Sequence, residues 1–283
     1  MTRTCHKSGV ASVEVERVNC SRFTPATDEL SVEEPLEIRI IDRTEGVRPL
    51  AVTMRTPGDD ESLAAGFLLT EGIIADRDDI EEIRRRGPNA VEARLRAGVA
   101  LDAARLDRHS FVSSSCGACG KRTIEAVRVK ARHPIAPGEP RLDPEVVHGL
   151  PQALRDAQAG FTRTGGIHAS GLFNATGTLL GVREDVGRHN ALDKLIGVEL
   201  LAGRVPLAGM IVLVSGRVSF ELVQKAAIAG VPVLGAVGAP SSLAVDLARE
   251  CGITLLGFVR DSRFNVYTNA GRLVPAGPMT CSD

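Results

Sequence analysis

Cys116 and Cys119 form one C-x-x-C within FVSSSCGACGK, residues 111–121, in a chain of 283 residues with six cysteines. That spacing serves three chemistries: half of a zinc site, a dithiol redox pair, or a nucleophilic thiolate that carries sulfur. Structural zinc requires four ligands. No second C-x-x-C exists, and His168 and His189 are not spaced as an H-x3-5-H, so the site would have to recruit Cys5 or Cys20. No structural zinc is therefore expected, and no metal ligand is assigned. A thioredoxin-like pair starts a helix after a strand, usually with an aromatic residue or proline between the cysteines; here Gly117 and Ala118 fill the gap. The third chemistry suits the flanks best. Lys121 and Arg122 favour thiolate over thiol. Three serines and two glycines give the stretch little to pack, as a loop that visits two sites would need. Such a thiolate takes sulfane sulfur by attack at sulfur, with the geometry of thiol–disulfide exchange. The second cysteine would release the cargo by closing a disulfide, or help to hold it. Cys5, Cys20, Cys251 and Cys281 stand alone and read as tail residues or small buried hydrophobes.

A second group of residues lies at strand-to-helix junctions. In REDVGRHNALDK, residues 183–194, Gly187 lets the chain turn while Arg188 and His189 begin a helix. Helix-start amides beside an arginine form an anion site; the plainer alternative is a capped helix with an Asp–Arg surface pair. SGRVSFELVQK repeats the pattern with Gly216 and Arg217, followed by Glu221 and Lys225 one turn apart. Ser241 and Ser242 add hydroxyls at a third helix start, and FVRDSRFNVYT closes the last strand with Arg260 and Arg263. Together these junctions read as a pocket for a phosphorylated, nucleotide-like ligand. None is a P-loop, because G-x4-G-K-[ST] is missing.

The elements that must position these residues follow from periodicity. EPLEIRIID and PLAVTMRTP read as strands, and TPGDDESLAAGFLLTEGII as a helix with Leu63, Phe67 and Leu68 on one face and Asp59 or Asp60 as cap. AVEARLRAG and VALDAARL are candidate strands. Pro134, Pro137, Pro140 and Pro144 mark an extended connector. After it, GIHASGLFN and GTLLGVRED form a hairpin around NATG, and helices then alternate with the strands GMIVLVSG, VPVLGAVG and ITLLGFVR. The expected fold class is α/β. The division is a flexible leader over 1–22, a smaller α+β domain over 23–133 ending in the cysteine loop and a following helix, and the connector over 134–145. A three-layer α/β domain over 146–271 and a tail over 272–283 complete it. Ligands of such sheets sit at the carboxyl ends of strands.

Bulk properties exclude rather than select. The formal net charge is -1, so no global attraction to nucleic acid or an anionic membrane is present. Arginine nevertheless outnumbers lysine 29 to 5, which suits phosphate recognition. No apolar run approaches membrane-spanning length and no signal peptide is legible, so a cytoplasmic address is expected.

In their order along the chain, TPGDDESLAAGFLLTEGII, SSSCGACGK, REDVGRHNALDK, VSGRVSFELVQKAAIAG and GAPSSLAVDLA closely resemble the FdhD family of formate dehydrogenase accessory sulfurtransferases. The likeness covers about residues 24–270. The resemblance implies a cytoplasmic homodimer with a cytidine-deaminase-like fold in its second domain. It implies that sulfur arrives as a persulfide from a cysteine desulfurase and passes to a molybdenum or tungsten bis(molybdopterin guanine dinucleotide) cofactor before insertion into the formate dehydrogenase catalytic subunit. GDP would act as a fragment mimic of that cofactor. Cys116 and Cys119 match the family's persulfide pair. Phe258, Val259, Arg260, Asp261, Ser262 and Arg263 match its cofactor-binding segment. Arg188, His189 and Arg217 stand where deaminases begin their zinc-ligand helices, with no H-x-E and no P-C-x-x-C, so deamination is disfavoured.

Overall fold

The computed structural model describes residues 9–42, 46–99, 133–260 and 262–274. The cysteine stretch 111–121, the helix expected after it and most of VALDAARL lie outside the described residues.

Four strands build the first sheet: β3 (Glu34–Asp42), β4 (Gly46–Arg55), β5 (Ile80–Arg85) and β6 (Ala90–Leu95), in the spatial order β4-β3-β6-β5. In β3, Leu36, Ile38 and Ile40 are fully buried, the period-two pattern of a half-covered strand. Helix α1 (Asp60–Thr70) packs on this sheet and is buried almost all round, well beyond the single face read from its sequence. Its outer side meets helix α4 (Arg188–Leu201) backbone against backbone. A Cβ on Gly66 would lie 1.9 Å from the Asp193 carbonyl oxygen, and one on Gly197 would lie 1.8 Å from that of Ser62. Only glycine permits that approach.

The second sheet has six strands: β7 (His168–Phe173), β8 (Leu179–Asp185), β9 (Ile211–Val214), β10 (Val233–Ala236), β11 (Thr254–Arg260) and β12 (Arg263–Val266), in the order β12-β11-β10-β9-β7-β8. Strands β9, β10 and β11 are parallel to one another, and the other pairings are antiparallel. Alternation sends Leu172, Val212, Val214, Leu234 and Leu255 toward α4, α5 (Phe220–Ile228) and α6 (Ser242–Glu250). Ala169, Phe173, Ile211, Leu213, Val233 and Leu256 face the other way, onto Val147, Leu150 and Leu154 of α2 (Pro144–Ala157). The result is three layers. A short helix, α3 (Ala159–Thr164), follows α2 after the single residue Gln158.

The mixed α/β class and the order of elements over residues 166–260 agree with the sequence reading; four expectations do not. The leader is not unstructured throughout, because β1 (Val10–Asn19) pairs in full register with β2 (Arg22–Ser31) as a hairpin. The hairpin is anchored at its base by Ser31 on Thr164 and by Glu29 on Arg163. The proposed boundary at 134–145 does not divide the core, since one apolar cluster runs from Leu36 through α1 and α4 to Leu255. Residue 272 is not tail: Arg272 is buried and donates to the carbonyls of Ala136, Glu139 and Gly252 and to the Thr254 hydroxyl. That one side chain ties the proline-rich segment to β11, so the segment is no free linker. Finally, α2, α3 and β12 were not foreseen; Pro144 stands in the first turn of α2, where a missing N–H costs nothing.

Candidate functional site

The carboxyl ends of the three parallel strands form one continuous rim. Gly238 N–H donates to the Gly216 carbonyl at 3.1 Å, and Phe258 N–H donates to the Gly238 carbonyl at 3.0 Å. Ser241 N–H reaches the Val218 carbonyl at 2.9 Å. A Cβ on Gly238 would meet Arg217 N at 3.2 Å, and one on Gly257 would meet Pro240 at 3.0 Å, so bare backbone is what lets the three strand ends converge. Phe258 holds φ at 53°, a left-handed conformation that a bulky residue adopts only when its surroundings impose it. The fold thus brings the backbone of Gly216, Val218, Gly238, Ser241 and Phe258 together from three separate junctions.

Below this rim, on the α2 side of the sheet, lies a cavity of about 630 Å³. Ser215, Val237, Val259 and Arg260 reach it from the strand ends, and His168 and Val186 from the neighbouring hairpin. His148, Arg155, Gln158 and Phe161 close it from α2 and α3. Among the described residues, every charged or titratable side chain along the wall is basic and none is a carboxylate. The volume is that of a small-molecule site. His168 stands at the junction of rim and cavity, where burial and then the nearby Arg188 guanidinium pull its pKa down. Arg188 has its Nε buried without a hydrogen-bond partner.

On the opposite side of the sheet the polar residues are mostly engaged with one another. Asp185 accepts from Thr56 N, Gly187 N and Asn190 Nδ2, and pairs with Lys194 at 2.8 Å. Asn190 also donates to the Met54 carbonyl and accepts from Thr53. Lys225 meets Asp193 at 2.8 Å, Glu71 at 3.3 Å and Thr70 at 2.9 Å. Burial opposes the Lys225 charge, but Asp193 and Glu71 outweigh it and hold the ammonium above its usual range. Much of REDVGRHNALDK is therefore a fastening between the halves of the chain, and the Glu221–Lys225 helix pair of the sequence reading is corrected. Lys225 turns inward to Asp193, because a buried ammonium takes the carboxylates that surround it.

His189 lies between these regions. Its Nε2 is 3.2 Å from Ser219 Oγ and 3.9 Å from Glu221. Burial, then Lys225 and Arg188, push its pKa down to about 4, so the ring is neutral at pH 7. The Ser241 hydroxyl caps α6 by accepting from Ala244 N at 3.2 Å. Ser242, Ser262 and Arg263 are exposed, as is Arg217, and Asp261 lies outside the described residues with Cys116 and Cys119. Of the twelve residues assigned to ligand binding, Val259 and Arg260 line the cavity.

A family model, the FdhD/NarQ family, matches residues 31–274. The chain belongs to the FdhD/NarQ family. It is 49% identical over 270 residues to the sulfur carrier protein FdhD of Streptomyces avermitilis, covering 92% of this chain and 94% of that one. It is 48% identical over 284 residues to the FdhD of Anaeromyxobacter dehalogenans strain 2CP-1, covering 95% and 96%. The crystal structure of a candidate formate dehydrogenase accessory protein from Desulfotalea psychrophila superposes with a TM-score of 0.71 at 23% identity, over 94% of this chain and 99% of the other. At that identity the superposition speaks for the fold.

The family blocks and the geometry meet at the strand ends, but the motifs missed the far wall of the cavity. Arg155, Gln158 and Phe161 belong to PQALRDAQAGFTRT, where the only available signal was a helical period with a basic residue after the proline-rich segment. Nothing in that stretch resembles a ligand motif, and only the packing of α2 across the sheet brings it opposite Arg260.

Proposed function

We propose that this protein carries sulfur as a cysteine persulfide and delivers it to a molybdenum or tungsten cofactor bearing two guanine dinucleotides. The observation that carries the reading is the identity, near one half along almost the whole chain, to proteins named sulfur carrier proteins. The arginines and histidines of the cavity wall support the cofactor half of the reading, since dinucleotide phosphates favour such side chains.

In the first step the Cys116 thiolate attacks the terminal sulfur of a donor persulfide on a cysteine desulfurase. A new S–S bond forms on Cys116, and the donor leaves as its thiolate. In the second, the Cys119 thiolate attacks Cys116 Sγ. A Cys116–Cys119 disulfide forms, and the sulfane sulfur departs as hydrosulfide to replace an oxygen ligand of the cofactor metal, that oxygen leaving as water. The two electrons that reduce the sulfur come from the dithiol, and an external thiol restores it. The cofactor is cargo here, held by the strand-end rim and the cavity while the cysteines act on it. Formate dehydrogenase is the client, and the carrier is a homodimer.

Incubation with a cysteine desulfurase and cysteine, followed by peptide mass spectrometry, tests this. The expected result is a gain of one sulfur atom on the 113–121 peptide, lost in Cys116→Ala together with maturation of the client. A Cys116→Ala, Cys119→Ala double variant that matures the client fully would overturn the reading. Stoichiometric zinc lost with Cys116→Ser would replace it by a metal site.

A further inference from the structure

The β1–β2 hairpin is a ribbon on its own. It pairs along its whole length, from Val10 with Ser31 at the base to Asn19 with Arg22 at the far end, and it belongs to no larger sheet among the described residues. Of residues 10–31 only Val10 is buried. A lone two-stranded ribbon is marginal in water, and stability comes with a third strand or a covered face. The base is fastened to α3 through Glu29 and Ser31, and Val32 N–H donates to the Gly9 carbonyl at 2.9 Å. At the other end the turn residues Cys20 and Ser21 hold φ at 45° and 68°, the pair of left-handed positions that matches the twist of a tight hairpin. The ribbon is therefore a shaped arm with a fixed root.

Its far end is apolar. Val18 and Phe23 stand opposite each other in the ladder and Pro25 follows two residues on, so the three share one face. Phe23 is 64% exposed, more than any other large apolar side chain among the described residues. A second uncovered stripe lies on β4, an edge strand of the first sheet. The register shift opposite Ile38 and Arg39 puts Val47, Pro49 and Val52 on one face of that strand, and all three are exposed. Opposite charges flank the two clusters. Glu16 stands beside Pro25 in the arm, and Arg39, which also meets Glu37 and Glu92, stands beside Pro49 in the sheet.

We infer that the arm of one protomer docks its Val18–Phe23–Pro25 end on the Val47–Pro49–Val52 stripe of a second copy, and that this contact is made twice about a two-fold axis. The inference rests on the homodimer of the proposed function and names the surfaces that join it. A second copy is the occupant that the chain itself argues for. It carries both the apolar arm end and the apolar stripe, with complementary charges beside them, and two-fold exchange covers all four patches at once. The size agrees. Strands of ten residues make a ribbon about 33 Å long and about 10 Å wide. Two reciprocal contacts of that size remove on the order of 1,300 Å² from water, within the roughly 1,200–2,000 Å² of a stable specific interface.

The test is sedimentation equilibrium of the full chain, kept reduced so that no disulfide contributes, on wild type, Phe23→Thr and Val52→Gln. Both sites are exposed and threonine keeps the strand preference, so each variant should fold, as circular dichroism checks. Wild type is expected to be a dimer, and each variant should raise the dimer dissociation constant at least about tenfold, a change near 1.4 kcal/mol. An equimolar mixture of the two variants separates docking from general damage. Their heterodimer keeps one contact intact, the arm of the Val52→Gln chain on the stripe of the Phe23→Thr chain, so the mixture should associate more tightly than either variant alone. A mixture no tighter than its components would overturn the reciprocal contact. A wild-type dimer that neither variant weakens would overturn the inference and leave the homodimer standing. A wild type that stays monomeric at tens of micromolar would overturn both and give the arm another occupant, while sulfur loading of Cys116 would still be judged separately by its mass.

Discussion

On the α4–α5 side of the six-stranded sheet, Asp185, Asn190, Asp193, Lys194 and Lys225 lie in the core and each meets at least one partner. On the α2 side, Gln158 is as deeply buried and its Nε2 meets no partner among the described residues, beside a cavity walled by Arg155, Arg260, His148 and His168. Polarity is common to the two faces; the charged groups of the first are paired, while on the second the Gln158 Nε2 is buried without a partner among the described residues, as is the Ser170 hydroxyl on the first. A satisfied buried network specifies how chain segments join, and an unsatisfied one awaits another molecule. This difference separates two roles that the motif blocks had run together. REDVGRHNALDK is chiefly the joint between the first sheet and the second. The strand-end rim with the α2–α3 wall is where the proposed ligand would be held.

The largest expected effect breaks the closed face. Lys225→Met leaves Asp193 and Glu71 buried without their ammonium, and removing one member of such a group costs about 3–5 kcal/mol. Urea denaturation should show that loss as a lower midpoint at unchanged slope. A loss below 1 kcal/mol (roughly the ceiling for an exposed pair) would show that Asp193 is held as the neutral acid and that the joint does not depend on charge.

The next effect is a pH dependence located at the seam between the faces. The His189 pKa in the fold is about 4, against 6.5 for the free side chain. The unfolded chain therefore binds the proton first as pH falls. The stability from burying a neutral ring is complete above pH 6.5 and is lost progressively toward pH 4, on the order of 3 kcal/mol in all. His189→Gln should flatten that part of the stability–pH curve, measured as unfolding free energy at pH 7 and pH 5. An unchanged slope would mean that the ring is solvated or already charged in the native state.

Legibility from sequence followed the range of the interactions. The hairpin at 166–185, the strands GMIVLVSG, VPVLGAVG and ITLLGFVR and the three helices between them are set by local periodicity and turn residues, and they stand where expected. The rim was legible because strand, glycine and helix recur at each junction. Three features were not, each for a physical reason. Gly66 and Gly197 read as neutral positions within helices, and their role exists only once α1 and α4 cross. Arg272 sits in an unremarkable AGRLV and acts through four long-range acceptors. Gln158 carries no local pattern at all, since what distinguishes it is a partner that is missing. Ser241 is the instructive intermediate case: its helix-start position was read correctly, yet the same hydroxyl was assigned to a ligand.

The smallest effect turns on that serine. Ser241 Oγ accepts from Ala244 N and so serves one of the orphan donors at the start of α6, a role worth about 1 kcal/mol when truncated to alanine. It does not line the cavity, which lies beneath the opposite face of the sheet. Ser241→Ala should therefore lower stability by about that amount and leave GDP affinity within a factor of two or so, a change under 0.5 kcal/mol. Arg260→Ala makes the opposite exchange. Its guanidinium lies at the cavity wall over Phe258 and bonds no carboxylate among the described residues, so the fold loses little. A charge-assisted contact to phosphate is worth about 1.5–3 kcal/mol, so GDP binding should weaken by roughly ten- to a hundredfold. Measuring melting and binding on both variants places the ligand relative to the sheet. If Ser241→Ala loses nucleotide while Arg260→Ala keeps it, the ligand sits over the α5–α6 helix starts instead, and the open face has another occupant.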